Sequence, residues 1–217
     1  MSLEEVTRAM TGYEEGGFAV EEKRTALELR TGLNAPKGFI EQVFEIDKQT
    51  YSPELCGVIE NMYSRYERCR DSFLLLYRAE TLIGYICFLP IGESLRAQLD
   101  DPADRAMRDD DITPEEMEDW SLEHLNHLFI LSVVILPEYR DGQAIRVLGD
   151  GWLAYLRDKE CRGYTIGSIS GSAVSEGGER FIRRFRGHFV KELDEGYRYY
   201  LADRENIEEL LRDGLLL

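Results

Sequence analysis

The chain reads Leu131-Ser-Val-Val-Ile-Leu-Pro-Glu-Tyr-Arg140 and continues Asp-Gly-Gln-Ala-Ile-Arg-Val-Leu148. The nearly continuous apolar run over residues 128–136 predicts a central strand that is buried on both faces and ends at Pro137. Residues 143–159 carry apolar side chains on one stripe and predict a helix that packs on the sheet. The first N–H groups of such a helix lack partners within it, and its dipole is positive there. The turn therefore suits an anion such as a pyrophosphate.

Further strands and helices are predicted on both sides of this stretch. Alternating side chains predict a strand over 25–31, and the apolar runs 72–78 and 82–89, joined by a short polar turn, predict an antiparallel hairpin. One helix is expected around residues 39–46, and another to begin at Ser52-Pro53-Glu54, because serine caps helices and proline suits their first turn. Downstream, the pattern predicts a strand at 164–170, a helix at 176–186, a hairpin of 189–193 with 196–201, and a helix at 206–211.

A strongly acidic segment separates the predicted hairpin from the central strand. Ten acidic residues lie between positions 100 and 119, opposed only by Arg105 and Arg108. A structureless loop of this length is uncommon in a compact domain, and Thr113-Pro114-Glu115-Glu116 resembles a helix start. We therefore expect a partly helical insert, about residues 93–123, that runs over the edge of the sheet.

Composition limits the class of protein. A chain of 217 residues with 43% hydrophobic residues can bury a substantial core. The net charge of −16 argues against nucleic acid and anionic membranes as partners. No apolar stretch approaches the roughly 18–20 residues of a membrane span, and no N-terminal segment resembles a signal peptide. The four cysteines form no C-x-x-C pair, which is typical of reduced thiols, so we expect a cytoplasmic protein.

Several other chemistries lack their motifs. No G-x-G-x-x-G or Walker loop is present, and the Gly167–Gly171 stretch has Ile169 where a nucleophile elbow needs serine. His124 and His127 are three apart, a spacing that on a strand points the two rings to opposite faces. No cysteine pair lies near them, so we expect no metal site.

The stretch quoted first resembles the acyl-CoA-binding motif of the GNAT superfamily of N-acetyltransferases, which usually reads V-x-P-x-Y-R-x-x-G-x-G/A. The residues at matching positions are Ile135, Pro137, Tyr139 and Arg140. Gln143 and Ile145 stand where the two small residues usually occur, while Gly142 and Ala144 are each one position early. The loop is either one residue shorter than usual or accommodates side chains there.

The resemblance implies both the fold and the organisation of the chain. It implies an α/β (α+β) fold with a mixed, mostly antiparallel central sheet flanked by helices, and with the acidic insert before the central strand. The resemblance covers roughly residues 25–203. Residues 1–24 are expected to form an N-terminal arm, and residues 204–217 a C-terminal helix.

The resemblance also implies acetyl-CoA as co-substrate. Backbone groups of Val133, Val134 and Ile135 would bind the pantetheine arm. The residues expected around the pyrophosphate are Arg140, Asp141, Gly142, Gln143, Ala144, Ile145 and Arg146. Arg146 on a helix surface is an equally good candidate for an ordinary solvated charge.

Acyl transfer needs a neutral, well-placed amine, a donor for the oxyanion and a proton for the leaving thiolate. His127 falls closest by spacing to the usual base of the family and is the candidate catalytic residue. Glu118, Asp119 and Glu123 remain alternatives, because the insert could fold over the acceptor site. The helix tyrosine that often serves as the acid is absent, with phenylalanine at position 181, which leaves Tyr139, Tyr164 and solvent as candidate acids.

These inferences lead to one function and one alternative. The expected function is transfer of an acetyl group from acetyl-CoA to a primary amine, by direct attack in a ternary complex, because no activated cysteine is evident. The acidic insert favours a cationic acceptor. The alternative is a non-catalytic GNAT-like module that binds acyl-CoA and serves regulation or interaction. A homodimer is compatible with either.

Overall fold

The computed structural model describes residues 26–107 and 111–216, and these form a seven-stranded sheet of order β1-β2-β3-β4-β5-β7-β6. The strands are β1 (Leu27–Thr31), β2 (Phe73–Arg78), β3 (Thr81–Ile91), β4 (Asn126–Ile135), β5 (Ile166–Ala173), β6 (His188–Glu192) and β7 (Arg198–Ala202). Neighbouring strands are antiparallel except β4 and β5, which are parallel. The mixed, mostly antiparallel sheet expected from the sequence is confirmed. The expected N-terminal arm, residues 1–24, lies outside the described residues.

Helices cover both faces of the sheet. They are α1 (Phe39–Thr50), α2 (Ile59–Arg68), α3 (Glu93–Asp100), α4 (Gln143–Cys161), α5 (Glu176–Arg184) and α6 (Arg204–Asp213). Alternate residues of β2 serve the two faces: Leu74 and Leu76 pack in the core under α4, α5 and α6, whereas Leu75 and Tyr77 pack in the core under α1 and α3. None of the described helices is long and apolar enough to cross a membrane.

Two expected helix starts are wrong. Ser52-Pro53-Glu54 forms a turn, closed by the Leu55 N–H on the Ser52 carbonyl at 2.9 Å, and α2 begins only at Ile59. Around Pro114 the chain again makes one turn and then forms an isolated bridge to β3. Serine or threonine followed by proline starts type I turns as readily as helices, and here the turn prevails.

The helix of the insert lies at its beginning rather than in its middle. Leu95 and Leu99 of α3 are buried in the core beneath α1. Beyond α3, the Lys191 ammonium of edge strand β6 donates to the Asp101 carbonyl at 2.7 Å, and the Tyr199 hydroxyl of β7 donates to Asp100 at 2.9 Å. The insert therefore packs on one face of the sheet and reaches its edge. Residues 108–110 lie outside the described part.

Strands β4 and β5 separate halfway along their length. Their pairing ends at Ile130 and Gly171, although β4 continues to Ile135 and β5 stays paired with β7 as far as Ala173. A gap therefore opens between the two central strands, and the side of β4 that faces β5 has no strand partner beyond Ile130 among the described residues.

A bulge in β4 coincides with this separation. Cys87 of β3 pairs with Ser132 and Phe88 pairs with Ile130, so Leu131 is one extra residue on β4. A bulge bends the strand and increases its twist, which turns the end of β4 away from β5. Residues 131–133 are only partly buried, so the expectation of a strand buried on both faces throughout is wrong at these positions.

Candidate active site

A cavity of about 810 Å³ fills the gap between β4 and β5. One wall is residues 130–135 of β4, and the opposite wall is residues 171–178, which include the end of β5 and the start of α5. Side chains of α1, α2 and the insert line the inner end. The cavity therefore lies where the sheet is interrupted, beside backbone groups of β4 that no neighbouring strand covers.

The outer end of the cavity lies at the turn between β4 and α4. The Arg140 side chain lines it and donates from Nε to the Ile135 carbonyl at 2.8 Å, so it fixes the end of β4. Gly142, with φ of 85°, immediately precedes α4 in the left-handed conformation that favours glycine. This turn brings the N-terminus of α4 to the mouth of the cavity.

The chain supplies an anion of its own at this helix start. One Asp141 carboxylate oxygen accepts from the backbone N–H groups of Gln143 at 2.9 Å and Ala144 at 3.4 Å. The other oxygen lies 3.7 Å from the Arg78 guanidinium. Two of the N–H groups that the sequence offered to a pyrophosphate are thus already bonded to a carboxylate.

The predicted cofactor residues divide into two groups. Those that line the cavity are Val133, Val134, Ile135, Arg140, Gly142 and Ile145. Those that do not are Asp141, Gln143, Ala144 and Arg146. Ala144 is buried in the core and Arg146 is exposed on the outer surface of α4.

Helix α5 supplies the second half of the outer wall. Its N-cap, Ser175, accepts a hydrogen bond from the Gly178 N–H at 3.2 Å, and Arg180 and Arg184 line the cavity. Phe181 also lines it and packs against Trp152 and Phe185. An apolar ring therefore stands at the position where the family resemblance implies a tyrosine acid.

A chain of hydroxyl groups leads from the cavity to a buried carboxylate at its inner end. The Ser132 hydroxyl of β4 lies 2.9 Å from the Tyr85 hydroxyl and 2.8 Å from the Tyr51 hydroxyl. Tyr85 in turn donates to the carboxylate of Asp47, which is only 5% exposed. All four side chains line the cavity, and they come from α1, its C-terminal cap, β3 and β4.

Burial decides the protonation of two groups in this wall. Burial, reinforced by the Asp47 carboxylate, holds the pKa of Tyr85 well above its ordinary value, so the phenol stays neutral. Burial likewise raises the pKa of the Cys87 thiol. Because the thiolate is the nucleophilic form, Cys87 is not an activated cysteine.

Sequence reasoning missed Asp47, although one signal was present. Phe39, Val43 and Ile46 form the apolar stripe of α1, and Asp47 follows Val43 by four residues on the same face. A carboxylate on the buried face of a helix is a rare arrangement and needs a partner. Nothing in the local sequence identified that partner as Tyr85.

His127 lies at the opposite end of β4 from the cavity's outer turn and does not line the cavity. Its Nδ1 is 2.9 Å from the Ser168 hydroxyl and its Nε2 is 2.8 Å from the Glu93 carboxylate. Val133 is six positions further along the strand, roughly 20 Å away. The pKa of His127 is lowered by burial, against the opposing effect of Glu93. The geometry does not bring this histidine to the cavity.

The other sequence candidates also lie outside the cavity wall. This group comprises Glu118, Asp119, Glu123, Tyr139 and Tyr164. Within residues 26–107 and 111–216, no group of three or more histidine, cysteine or acidic side chains is arranged to hold a metal ion.

Comparisons with known proteins identify the fold. The sequence matches no protein-family model and no curated protein. The loading GNATL domain of CurA from Lyngbya majuscula is similar in structure, with a TM-score of 0.60 at 17% identity, over 83% of this chain and 99% of that domain. The GNAT-like decarboxylase GphF, solved with isobutyryl-CoA, gives a TM-score of 0.57 at 9% identity, over 82% and 99%. An N-acetyltransferase from Staphylococcus aureus Mu50 gives 0.53 at 10% identity, over 83% and 99%.

Proposed function

We propose that this protein, which has the GNAT fold, transfers an acyl group from acyl-CoA to a primary amine. The acyl group proposed is acetyl. The observation that carries the proposal is the cavity beside the uncovered edge of β4. A strand edge offers regularly spaced N–H and C=O groups, which suit the two amides of a pantetheine arm. The volume of about 810 Å³ is within the range of small-molecule sites.

The proposed pose follows the length of the cavity. The pantetheine arm lies along Val133, Val134 and Ile135, with its diphosphate at the outer end. There Gly142 and Ile145 start α4, and Arg140 provides a positive charge. The thioester then points inward, to the level of Ser132. Asp141 stays on the helix N–H groups, so phosphate binding depends on the arginines more than on the helix terminus.

Two of the structural neighbours support the choice of ligand and chemistry. GphF was solved with an acyl-CoA, isobutyryl-CoA, and the Staphylococcus aureus protein is an N-acetyltransferase. The same fold also serves decarboxylation in GphF, so the reaction must be argued from this cavity. Here the hydroxyl chain at the inner end can take up a proton, which aminolysis of a thioester requires.

Direct attack by the amine fits the side chains at hand. Cys87 is held as a neutral thiol, and no activated nucleophile is evident in the described cavity wall. The reaction then needs only proximity, a donor for the oxyanion and a route for the proton.

The acceptor enters at the inner end. Its surroundings there are largely apolar, with side chains of Val43, Met62, Phe73 and Met107. We infer a primary amine with an apolar body, whose nitrogen lies beside Ser132. The net charge of −16 enriches the cationic form of such an amine around the protein.

A binding and turnover experiment tests the proposal. Acetyl-CoA should raise the melting temperature, since a ligand specific for the native state adds about 2.7 kcal/mol of stability at a hundredfold excess over Kd. ATP, an anion without the pantetheine arm, is the control and should give a much smaller shift. CoA release should then appear with at least one member of a panel of alkyl and arylalkyl amines. The absence of a shift with millimolar acetyl-CoA would overturn the proposal.

The second candidate is a module that binds acyl-CoA without transferring the acyl group. One observation favours it: Phe181 fills the wall of α5 with an apolar ring, so that this helix supplies no acid to the thiolate. Saturable binding of acetyl-CoA with no CoA release across the amine panel would establish this function instead.

A further inference from the structure

We propose that Ser132, Tyr85 and Asp47 form a proton relay that removes the proton of the attacking amine, an inference that rests on the proposed function. All three side chains line the cavity. Ser132 is the one beside the proposed position of the thioester, and Tyr85 and Asp47 act through it. The relay takes the place that spacing had suggested for His127. It joins three elements, since the residues stand on β4, β3 and α1.

The order of donors follows from counting hydrogens. Tyr85 has one hydroxyl hydrogen and donates it to the Asp47 carboxylate. Its oxygen must therefore accept at its 2.9 Å contact with Ser132, so Ser132 is the donor there. Ser132 has then used its own hydrogen, and the 2.8 Å contact makes Tyr51 its donor. One lone pair of the Ser132 oxygen remains for a proton arriving from the cavity.

The proposed step balances in atoms and charge. The ammonium form of the amine first loses one proton to water. The neutral amine nitrogen then attacks the thioester carbon, the C–N bond forms and the C–S bond breaks. The amine gives one proton to Ser132, the serine hydrogen passes to Tyr85, and the tyrosine hydrogen passes to Asp47. Both hydroxyls end as they began, and Asp47 ends as a carboxylic acid. CoA leaves as the thiolate and takes a proton from water, and Asp47 later returns its proton to water.

The surroundings of each residue suit this role. Ser132 is half-buried next to the bulge at Leu131, so its hydroxyl faces the cavity while its backbone stays paired with Cys87 of β3. Burial raises the pKa of Tyr85, so the phenol passes a proton on without becoming a lasting phenolate. Asp47 is buried and accepts the Tyr85 hydrogen bond, so its carboxylate stands at the inner end of the chain of donors.

The chain offers a matched control for Tyr85. Tyr77 of β2 is also about 1% exposed and packs in the same core, and its hydroxyl has no hydrogen-bond partner among the described residues. Tyr77→Phe and Tyr85→Phe therefore remove the same atom from equally buried rings. Only the second removal interrupts the hydroxyl chain.

The experiment measures acetyl-CoA aminolysis with the best amine of the panel. Tyr85→Phe, Asp47→Asn and Ser132→Ala should each lower kcat by about 100-fold or more, the usual contribution of a positioned base. Acetyl-CoA affinity should change less than twofold. Ser132→Thr keeps the hydroxyl and should retain most of the rate, as should Tyr77→Phe. The wild-type solvent deuterium effect on kcat should reflect several protons in motion, and Tyr85→Phe should lose it.

The measured rates distinguish a failure of the relay from a failure of the proposed function. If Tyr85→Phe and Tyr77→Phe turn over equally, the relay is overturned while the proposed function stands. If the wild type binds acetyl-CoA but acylates no amine, the proposed function falls, and the relay with it. If a buried variant fails to fold, Ser132→Ala against Ser132→Thr at the half-buried position still decides, since equal rates in that pair overturn the relay.

Discussion

Gly142 connects backbone geometry to ligand binding, and Gly196 provides its control. Both glycines have nearly the same φ, 85° and 82°, and a Cβ added at either would meet nothing within 4 Å. Alanine at either position should therefore cost a similar stability, about 1 kcal/mol, through the left-handed conformation alone. Gly196 lies between β6 and β7 and does not line the cavity, so only Gly142→Ala should also weaken acetyl-CoA binding.

Thermal melts with and without acetyl-CoA would measure both effects. The melting temperatures of the two unliganded variants should drop by the same amount. The acetyl-CoA shift should shrink for Gly142→Ala and stay at the wild-type value for Gly196→Ala. Equal shifts in both variants would mean that the diphosphate binds away from the start of α4.

Asp141 places a negative charge where a bound diphosphate would end. Asp141→Asn keeps a side-chain oxygen for the N–H groups of Gln143 and Ala144 but removes the charge. Acetyl-CoA should then bind about fivefold tighter, because its diphosphate no longer meets the negative charge of Asp141 at the start of α4. Charge effects at a helix N-terminus amount to up to about 1 kcal/mol. Titration calorimetry would measure Kd. Asp150→Asn, an exposed acid farther along α4, is the control for net charge, and equal gains in both variants would contradict the local explanation.

Strand β4 has different surroundings at its two ends, and His127 lies at the end remote from Arg140. The charged groups around His127 are Glu93, Arg96, Asp100 and Glu118, but burial dominates and lowers its pKa below the ordinary value of 6.5. Below pH 6.5 the unfolded chain therefore takes up a proton at this residue before the folded chain does. This residue's contribution to stability is accordingly lost as pH falls from 6.5 toward the folded-state pKa.

His127→Gln should make the free energy of unfolding less dependent on pH in this range. Denaturant unfolding at pH 7.5 and 5.5 would measure the difference, with His124→Gln at an exposed position as control. Because His127 does not line the cavity, kcat at pH 7.5 should stay within a few-fold of wild type. A loss of 100-fold in kcat with unchanged folding would restore His127 as the catalytic base and argue against the Asp47 relay.

The elements that the sequence predicted correctly are those with a local signal. The apolar runs of β2, β3 and β4 and the stripe of α4 are long and regular, and their bounds differ from the predicted ones by only a few residues. The wrong helix starts at Pro53 and Pro114 rest on short motifs shared by turns and helices. The decision between turn and helix there depends on contacts far away in sequence, such as the bridge of Met117 to Ile91.

The site was less accessible to sequence reasoning, for a physical reason. The turn before α4 could be found because Arg140, Gly142 and the helix start are adjacent in sequence. The inner end could not, because Asp47 and Tyr85 are 38 positions apart and Ser132 is 47 further on. Their meeting depends on the register of β3 with β4 and on the bulge at Leu131, and neither feature has a local signature.

At the scale of the whole molecule, the insert joins the acidic surface to the inner end of the cavity. Met107 of the insert lines the cavity, and Arg65, which also lines it, donates from Nε to the Ile112 carbonyl at 3.0 Å. The insert's acidic side chains 115, 116, 118 and 119 are exposed and do not themselves line the cavity. Any effect they have on a substrate must therefore act through their field rather than through contact.

Two variants of equal net charge test whether the position of the acidic residues matters. One variant neutralises Glu115, Glu116, Glu118 and Asp119 to the corresponding amides. The control neutralises Glu205, Glu208, Glu209 and Asp213 on or at the end of α6, which packs on the other face of the sheet. Both change the net charge from −16 by the same four units. Only the insert variant should raise KM for a cationic amine, by a few-fold at low salt, and KM for acetyl-CoA should stay nearly constant.

Measurements at high salt distinguish electrostatic attraction of the amine from structural damage in the insert variant and the α6 variant. The Debye length shrinks from about 10 Å at 0.1 M to about 3 Å at 1 M, so an effect of the field should vanish at high salt. Damage to the packing of the insert would persist there, because salt screens charges acting at a distance and not packing contacts. Equal KM values for both variants at low salt would show that the acidic insert does not steer the acceptor. The apolar side chains around Met107 would then select the amine without help from the surface charge.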